Sequence, residues 1–315
     1  MIRALAEDLG DLGHEVIVPA SCGTGFARLL EGFDATWIIA PESEGCLERL
    51  TRAAASHGTT VLGSSADAIA AAASKDTTVR RLERARVPVV PTLPLTIPRM
   101  PPQAESWPWP RVLKPDDGAG CVGTAIAASP DQVPAAFAAA RRHSTAVVAQ
   151  PYLEGEHASV AVAAGPRGCF PLAIGRQRVS AGEATAGRPD RPAKFRYLGG
   201  TVPLESPWAA SALRIAREAC AAIPGLLGFA GVDLVLTPQG PVVIEINPRL
   251  TTAYLGLRRA AVENVAGVVL ATLEGAEPPP LRWRGRATFT AAGSVRLSTG
   301  MRMACAPVRA PAQRA

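Results

Sequence analysis

The stretch that decides the fold is residues 231–249, GVDLVLTPQGPVVIEINPR, in which two mostly apolar runs flank a turn. Aliphatic runs on both sides of Thr237-Pro238-Gln239-Gly240 predict a β-hairpin. Because successive side chains of a strand point to opposite faces, Glu245 and Asn247 are predicted to share one face. The other face is predicted to carry Val242, Ile244 and Ile246. Folding about the turn then places Asp233 opposite or diagonal to Glu245.

Two acids therefore converge in an otherwise apolar hairpin, Asp233 and Glu245, together with the amide of Asn247. Two carboxylates so close would repel one another and resist burial unless a cation lay between them. An all-oxygen set with few protein ligands suits Mg²⁺, whose remaining positions go to water and phosphate oxygens. Arg249, two residues further on, adds a positive charge. At this point it remains open that both acids are solvated positions on a half-exposed sheet.

A glycine-rich loop follows a second predicted strand, residues 111–115. Its glycines are Gly118, Gly120 and Gly123. They would let backbone amides approach phosphate oxygens, and Lys114 on the strand supplies a positive charge. The loop is not a Walker A motif, and residues 125–130 do not open a helix as a dinucleotide fingerprint would. Such loops also occur as ordinary turns, so this feature alone leaves both interpretations open.

Composition narrows the class of protein. The 315 residues are 48% hydrophobic and 19% charged, which suffices for two or three compact units. A net charge of +6 suits anionic ligands, but no block of Lys and Arg with interleaved aromatics predicts nucleic-acid binding. Six scattered cysteines without a Cys-x-x-Cys pair predict neither a disulfide framework nor a zinc site, so a reducing cytoplasm is expected. The apolar runs are too short to span a membrane.

The first 63 residues alternate between helical and strand patterns, which predicts a small parallel α/β sheet. The predicted helices are 2–12 and 44–57, and the predicted strands are 14–18, 35–40 and 60–63. Units of this kind usually open on a strand, whereas this chain opens on a helix. We therefore expect a first strand to be missing ahead of Met1.

The remaining chain is predicted to mix helices with antiparallel strands. Helices are predicted at 66–73, 75–85, 131–142, 208–223 and 264–273, and strands at 146–150 and 158–164. The proline-rich stretch that follows residue 86 is predicted to be a linker or surface loop. Residues 175–200, polar and rich in Gly and Arg, are predicted to form a mobile loop, and the tail after Ala306 is predicted to be disordered.

Four motifs, taken in their order along the chain, resemble the ATP-grasp superfamily of carboxylate–amine ligases over about residues 64–275. They are the helix-opening Lys75, the strand lysine with its glycine-rich lid (114–124), the hinge segment Gln150–Gly155 and the hairpin ending in Glu245–Arg249. The resemblance implies an α/β chain with the α+β ATP-grasp fold. It also implies an N-terminal pre-ATP-grasp domain (1–63), an ATP-grasp domain (64–275, lid about 92–150) and a C-terminal extension (276–315).

The resemblance also implies roles for individual residues in an ATP site. Lys75 and Lys114 would hold the α- and β-phosphates, covered by the lid residues Gly118, Gly120, Cys121 and Gly123. Cys121 is interpreted as a small residue that fits the lid rather than as a nucleophile. The hinge residues Gln150, Tyr152 and Leu153 would bracket the adenine. Family members often have the acid that binds the ribose at the position where this chain has His157, and Glu156 lies one place earlier.

At the other end of the site, the resemblance implies a metal and an acid substrate. Asp233, Glu245 and Asn247 would bind two Mg²⁺ (or Mn²⁺) ions, and Arg249 with Lys114 would neutralise the transferred phosphate. Arg196, Tyr197 and Arg249 are expected to contact the acid substrate. Several members have an arginine where this chain has Gly231. Its replacement is left open among Arg176, Arg178 and Arg196.

The implied reaction is the formation of an amide through an acyl phosphate, with release of ADP and phosphate. Within the superfamily, residues 247–256 resemble the ligases that join tyramine to the γ-carboxylate of glutamate in methanofuran biosynthesis. Ligases of amino acids or dipeptides remain open. A nucleotide-binding module without ligase activity also remains open, motivated by Gly231 and the missing strand. The expected partners are small molecules, with neither nucleic acid nor membrane, and a homodimer is the family-level expectation.

Overall fold

The computed structural model describes residues 1–19, 25–26, 28–182 and 192–299. The predicted disordered tail after Ala306 lies outside these residues. Within them, the α-helices are α1 Ile2–Gly10, α2 Cys46–Ser56, α3 Ala66–Ala73, α4 Lys75–Arg84, α5 Val133–Arg141, α6 Ala209–Ala221, α7 Ala253–Ala260 and α8 Val265–Leu273. The first strands are β1 Ala35–Thr36, β2 Thr60–Val61, β3 Leu93–Leu95, β4 Arg111–Pro115, β5 Ala125–Ala127 and β6 Val147–Pro151. The later strands are β7 Glu156–Gly165, β8 Gly168–Ala181, β9 Ala193–Val202, β10 Gly228–Thr237, β11 Gly240–Asn247, β12 Arg286–Thr290 and β13 Val295–Ser298.

The N-terminal part contains a small parallel pairing, of β1 with β2, in which Ala35 lies beside Thr60. Parallel pairing is therefore confirmed, but the predicted strand 14–18 is wrong. In the described part of the chain those residues pair with no strand, and Ile17 and Val18 are exposed. A strand needs a neighbour to satisfy its backbone hydrogen bonds, so an apolar run alone does not form one.

The large sheet carries the rest of the molecule. Its strand order is β11-β10-β7-β8-β9-β5-β4-β6-β3, and the β12–β13 hairpin pairs with β9. Strand β9 is the junction: its first residues pair with β5 (Lys194 beside Ala125), and its last residues pair with β12. The glycine loop after β4 and the acidic hairpin of β10 and β11 therefore belong to one continuous sheet.

The predicted mobile loop at 175–200 is wrong where the structure describes it. Residues up to Ala181 continue β8, and residues from Ala193 form β9, which pairs with β8. The segment between them, 183–191, lies outside the described residues. Arg176 and Arg178 are exposed, while Gln177 and Val179, which alternate with them, are half-buried, so burial repeats every two residues as in a strand. The sequence resembles a loop because both faces are partly polar.

Helices cover the two faces of the large sheet. One buried cluster joins β7 and β10 to α3 and α6, and a second joins the opposite face of the sheet to α1, α7 and α8. A third cluster packs α5 against the strands of the predicted lid. Among the described residues, no helix has the length and apolar character needed to cross a bilayer.

The C-terminal extension contains a hairpin that the sequence analysis did not predict. Phe289 of β12 is 2% exposed and lies against two glycines of the sheet and of α7. A Cβ added at Gly200 would lie 2.8 Å from Phe289 Cζ, and one added at Gly256 would lie 2.5 Å from Phe289 Cδ1. The absence of side chains at both positions therefore makes room for the ring.

Gly165→Ala should lower the free energy of unfolding by roughly 1–3 kcal/mol through overpacking. The added Cβ would lie 1.9 Å from the carbonyl oxygen of Thr272, where α8 packs against β7. Thermal or chemical unfolding followed by circular dichroism measures the change. Gly10→Ala is the control, because its Cβ would meet nothing within 4 Å, and its effect should stay under about 1 kcal/mol. Equal losses in both variants would contradict the packing argument.

Candidate active site

A cavity of about 260 Å³ lies against the large sheet, between the glycine loop and the acidic hairpin. Most of the predicted site residues line it: Lys75, Lys114, Gly118, Gly120, Cys121, Gln150, Tyr152, Leu153, His157, Tyr197, Asp233, Glu245, Asn247 and Arg249. Three others are described by the structure but lie outside this lining: Gly123, Glu156 and Arg196. The structure therefore brings the four sequence motifs together around one space.

The acidic hairpin has the predicted register at its centre. Asp233 of β10 lies directly opposite Glu245 of β11. The Asp233 carboxylate accepts hydrogen bonds from Gln177 Nε2 at 2.9 Å and from Asn247 Nδ2 at 3.2 Å. Burial, reinforced by the nearby charge of Glu245, raises the pKa of Asp233 to about 7. The pair is thus electrostatically costly as long as no cation joins it.

A β-bulge corrects the predicted faces of β11. The register shifts after Asp233, so that Leu234 pairs with Val243 and Ile244 is the extra residue. Ile244 therefore lines the cavity beside Glu245, while Val243 is fully buried in the core with Ile246. The prediction that Val242, Ile244 and Ile246 share one apolar face is wrong, since strict alternation fails at a bulge.

Glu245 is the point at which the cations of the site meet. Lys75 Nζ and Lys114 Nζ each lie 3.6 Å from Glu245 Oε2. Burial acts to raise the pKa of Glu245, but the charges of the lysines and of Arg249 outweigh it, and the pKa is lowered below its usual value. Burial also lowers the pKa of Lys114 to about 8, against the opposing pull of Glu245. The two acids are therefore driven apart in pKa, with Glu245 holding the negative charge.

Lys75, at the start of α4, ties that helix to the glycine loop. Its Nζ donates to the carbonyl oxygens of Asp116 at 3.0 Å and Gly118 at 2.8 Å, and its backbone N–H donates to Asp116 O at 3.2 Å. An ammonium has three N–H bonds, so two of them hold the loop and one is left for Glu245 or a phosphate. Lys75 therefore shapes the loop as well as contributing charge.

The loop itself turns through three left-handed residues, Gly120, Cys121 and Gly123, with φ of 63°, 65° and 72°. Burial raises the pKa of the Cys121 thiol to about 12, an effect that Glu245 and Asp233 reinforce. A thiol with so high a pKa stays protonated and is a poor nucleophile. This agrees with the interpretation of Cys121 as a residue that fits the lid.

The hinge end of the cavity contains an aromatic group. Tyr152 stacks on Phe195 with ring centroids 6.3 Å apart and planes 21° apart, and His157 meets Phe195 edge-on at 6.2 Å. Burial lowers the pKa of His157, which favours the neutral ring. The Gln150 side chain donates to Thr92 Oγ1 at 2.8 Å. Phe195 was missed by the sequence analysis because its strand was predicted to be a loop.

The arginine expected near position 231 has one replacement candidate in the cavity. A Cβ at Gly231 would lie 2.7 Å from Thr251 Cγ2, so a side chain there would require a local shift. Of the three candidates, Arg176 lines the cavity, and its Nε donates to Glu156. Arg178 is exposed and donates to Leu198 O at 3.4 Å. Arg196 is exposed on β9 and lies outside the cavity lining.

Tyr197, next along β9, does reach the cavity. Its hydroxyl accepts a hydrogen bond from Thr252 Oγ1 at 2.9 Å. Burial raises the pKa of Tyr197 to about 12, although the bond from Thr252 opposes the rise. The phenol therefore stays neutral and retains a proton to donate. Ala253 and Phe289, neither of which was predicted as a site residue, line the same cavity.

Arg249 lines the cavity, and its guanidinium is held by Glu42, which lies outside the cavity lining. Its Nε and Nη2 each lie 2.8 Å from Glu42 Oε2, and its Nη1 donates to Leu250 O at 3.2 Å. Glu42, which follows the apolar run 35–40, was also missed. The only available signal was an acid at the carboxyl end of a predicted parallel strand, where functional side chains often lie.

The residues present fit a magnesium ion bound together with phosphates. In the described part of the chain, no group of three or more His, Cys, Asp and Glu side chains could hold a metal by itself. Two carboxylates with one amide, Asp233, Glu245 and Asn247, instead form a partial oxygen set that suits Mg²⁺. The raised pKa of Asp233 is a second sign of fit, because a cation between the acids would offset both the burial and the nearby charge of Glu245 that raise it.

Together, these features place lysines and a glycine loop on one side of the cavity and an acidic hairpin on the other. The chain belongs to the ATP-grasp domain family, which it matches over residues 72–253. Residues 6–69 match the pre ATP-grasp 3 domain.

Two relatives of known name resemble the chain. Tyramine–L-glutamate ligase of Methanocaldococcus jannaschii is 28% identical over 228 residues, which cover 72% of this chain and 59% of that protein. The chain thus spans well under two thirds of that relative. D-alanine–D-alanine ligase of Mycobacterium bovis is 30% identical over 289 residues, covering 84% of this chain and 76% of that protein.

Solved structures give the same fold. An ATP-grasp superfamily protein from Archaeoglobus fulgidus superposes with a TM-score of 0.61 at 28% identity, covering 84% of this chain and 72% of that one. L-amino acid ligase from Bacillus licheniformis superposes with a TM-score of 0.66 at 16% identity, covering 90% and 75%. At that identity the second likeness supports the fold alone.

Asp233→Asn should change how the stability of the metal-free protein depends on pH. The pKa of Asp233 is raised from 3.8 to about 7 in the folded state, so the folded protein favours the protonated acid. The stability that the protonated acid contributes is complete below pH 3.8 and is lost as the pH rises to about 7. The variant lacks this titration, so at pH 8 it should exceed the native protein in free energy of unfolding by roughly 1–3 kcal/mol. Near pH 4 the advantage should vanish.

Chemical unfolding at several pH values in EDTA measures this difference. Added Mg²⁺ should stabilise the native protein and leave Asp233→Asn nearly unchanged. A difference that does not vary with pH would show that Asp233 is not the titrating group.

Proposed function

We propose that this chain is an ATP-dependent carboxylate–amine ligase that forms an amide through an acyl phosphate. The observation that carries the proposal is the meeting of Lys75, Lys114 and Arg249 around Glu245, which itself faces Asp233. Transfer of a phosphoryl group needs positioning and neutralisation of charge more than it needs acid–base chemistry. A cavity with this set of fixed charges supplies both.

Each group has a proposed task. Lys114 and Lys75 would hold phosphate oxygens of ATP beneath the glycine loop, and the aromatic group at the hinge would hold the adenine. Arg249 would bind the substrate carboxylate and the phosphoryl group that it receives. Magnesium, bound by Asp233, Glu245 and Asn247, would neutralise phosphate charge. Tyr197 would donate its phenolic proton to an oxygen of the substrate.

For the substrates, we propose the γ-carboxylate of glutamate and tyramine or a related amine, as in methanofuran-type cofactor biosynthesis. Support comes from the likeness to the methanogen ligase and from the resemblance of residues 247–256. Tyr197, Ala253 and Phe289 also give the cavity an apolar wall that suits an aryl group. The 30% likeness to D-alanine–D-alanine ligase favours a second candidate, a ligase of two amino acids. A cytoplasmic homodimer is the family-level expectation.

Glu245→Gln should abolish amine-dependent release of ADP, lowering kcat by at least about 100-fold, because the charge that faces both lysines and the metal is lost. The assay couples ADP release to glutamate plus tyramine, and then to a panel of other amino acids and amines. Glu218→Gln is the control, since the ion pair of Glu218 with Arg214 lies on the exposed face of α6.

The outcomes separate the alternatives. Amine-dependent ADP release with two amino acids but not with tyramine would favour the second candidate. Nucleotide binding without any amine-dependent ADP over the whole panel would indicate a binding module and defeat the ligase proposal. Full activity of Glu245→Gln would defeat the metal assignment alone.

Arg196→Ala should leave KM for the acid within about twofold of the native value, because the exposed Arg196 lies outside the cavity lining. Tyr197→Phe, which removes the hydroxyl held by Thr252, should raise KM or lower kcat by about tenfold. Initial rates at varied acid concentration measure both. A large loss in Arg196→Ala with none in Tyr197→Phe would reverse the assignment of the two faces of β9.

A further inference from the structure

We propose that Glu42, in the N-terminal part of the chain, is a positioning residue that fixes the guanidinium of Arg249 in the cavity. This inference rests on the proposed function, in which Arg249 binds the substrate carboxylate and the phosphoryl group. Glu42 lies outside the cavity lining and acts through Arg249 alone.

The contact between the two residues is close and buried. Arg249 Nε and Nη2 each lie 2.8 Å from Glu42 Oε2, and the side chains are 16% and 5% exposed. The residues are 207 positions apart, so the contact joins the N-terminal unit to the end of the acidic hairpin. A charge-assisted contact made by two nitrogens of a planar guanidinium fixes its orientation as well as its place.

The remaining hydrogen-bonding capacity of Arg249 suits an oxyanion. A guanidinium has five N–H bonds. In the described structure, Glu42 accepts the hydrogen bond of Nε and Leu250 O accepts one from Nη1, while Nη2 lies at ion-pair distance, 2.8 Å, from Glu42 Oε2. At least one N–H on each of Nη1 and Nη2 therefore remains for a ligand. Two donors on adjacent nitrogens can hold two oxygens of a carboxylate or phosphoryl group. Glu42 thus occupies the donors next to the chain and leaves the terminal ones for the substrate.

Glu42 is itself held by a tight turn. Its carbonyl accepts the N–H of Gly45 at 3.0 Å, and Glu44 and Gly45 are both left-handed, with φ of 56° and 64°. The N–H of Glu44 donates to Asp117 Oδ2 at 2.9 Å in the glycine loop. The turn 42–45 therefore contacts both the glycine loop and Arg249, which gives Glu42 a fixed position relative to the site.

The second oxygen of Glu42 argues against a purely structural role. Glu42 Oε1 is buried without a hydrogen-bond partner in the described structure. An unpaired buried carboxylate oxygen is costly, so an acid placed for stability alone would be poorly chosen here. The role of Glu42 therefore lies in the contact of its Oε2 with Arg249, which fixes the guanidinium.

The chain provides a matched control in the ion pair of Asp8 with Arg258. This pair also joins the N-terminal part to the ATP-grasp part, at 2.7 Å, with side chains 10% and 17% exposed. Neither residue lines the cavity. Asp8→Asn therefore removes a comparable buried ion pair without touching Arg249.

The test compares Glu42→Gln, Asp8→Asn, Arg249→Gln and the double variant Glu42→Gln/Arg249→Gln in the full chain. ADP release gives kcat and KM for the acid and for ATP, and thermal unfolding monitors stability. Glu42→Gln should lower kcat/KM for the acid by roughly 10- to 100-fold through misplacement of Arg249, with KM for ATP within about twofold. Asp8→Asn should lower the unfolding temperature without this kinetic loss.

The double-mutant cycle then isolates the pathway. If Glu42 acts through Arg249, the double variant should be no worse than Arg249→Gln, so the whole effect of Glu42→Gln disappears in that background. This inference alone would be overturned if the losses in kcat/KM of the two single variants multiplied in the double variant. It would also be overturned if Glu42→Gln had native kinetics while Arg249→Gln was impaired. Native kinetics in Arg249→Gln would overturn the role of Arg249 in the proposed function, and this inference with it. Glu42→Asp, which keeps the charge, should recover part of the loss; no recovery in a folded Glu42→Asp would count against positioning.

Discussion

The site depends on one unfavourable interaction, the placement of two carboxylates directly opposite each other in a buried hairpin. Asp233 and Glu245 face one another across β10 and β11, and burial acts to raise the pKa of both. The two acids differ in their partners. Two lysines and Arg249 lower the pKa of Glu245, while Asp233 accepts hydrogen bonds from the neutral amides of Gln177 and Asn247 and its pKa is raised. What remains is a site prepared for a cation, with anionic phosphates as the natural partners of the lysines.

Most of the other features of the molecule bring distant parts of the chain to this hairpin. The start of α4 supplies Lys75, which holds the glycine loop as well as facing Glu245. Strand β9 joins the two parts of the large sheet and carries both Phe195 and Tyr197 to the cavity. The turn 42–45 reaches over from the N-terminal unit. Several segments must hold these buried charged side chains in place, because each misplaced group would leave a buried charge without a partner of opposite charge.

The candidate site was largely predictable because its residues sit in local patterns. The lysines and the acid pair belong to a helix start, a strand and a hairpin, each of which the sequence indicates by itself. The failures have a different origin. The segments of β8 and β9 within residues 175–200 were predicted to be a loop, because both of their faces carry polar residues, which removes the apolar alternation that predicts a strand. The run 14–18 failed in the opposite way, since it has strand composition and no partner.

By itself, the sequence determined the hairpin, the placement of Asp233 opposite or diagonal to Glu245 and the order of the four motifs, because turn chemistry and side-chain alternation act over a few residues. Only the tertiary structure decided that Ile244 occupies a bulge, that Tyr197 rather than Arg196 faces the cavity, and that Glu42 holds Arg249. Each of these depends on pairing between segments far apart in the chain. The free energy of such a pairing belongs to neither segment alone, so no local pattern records it.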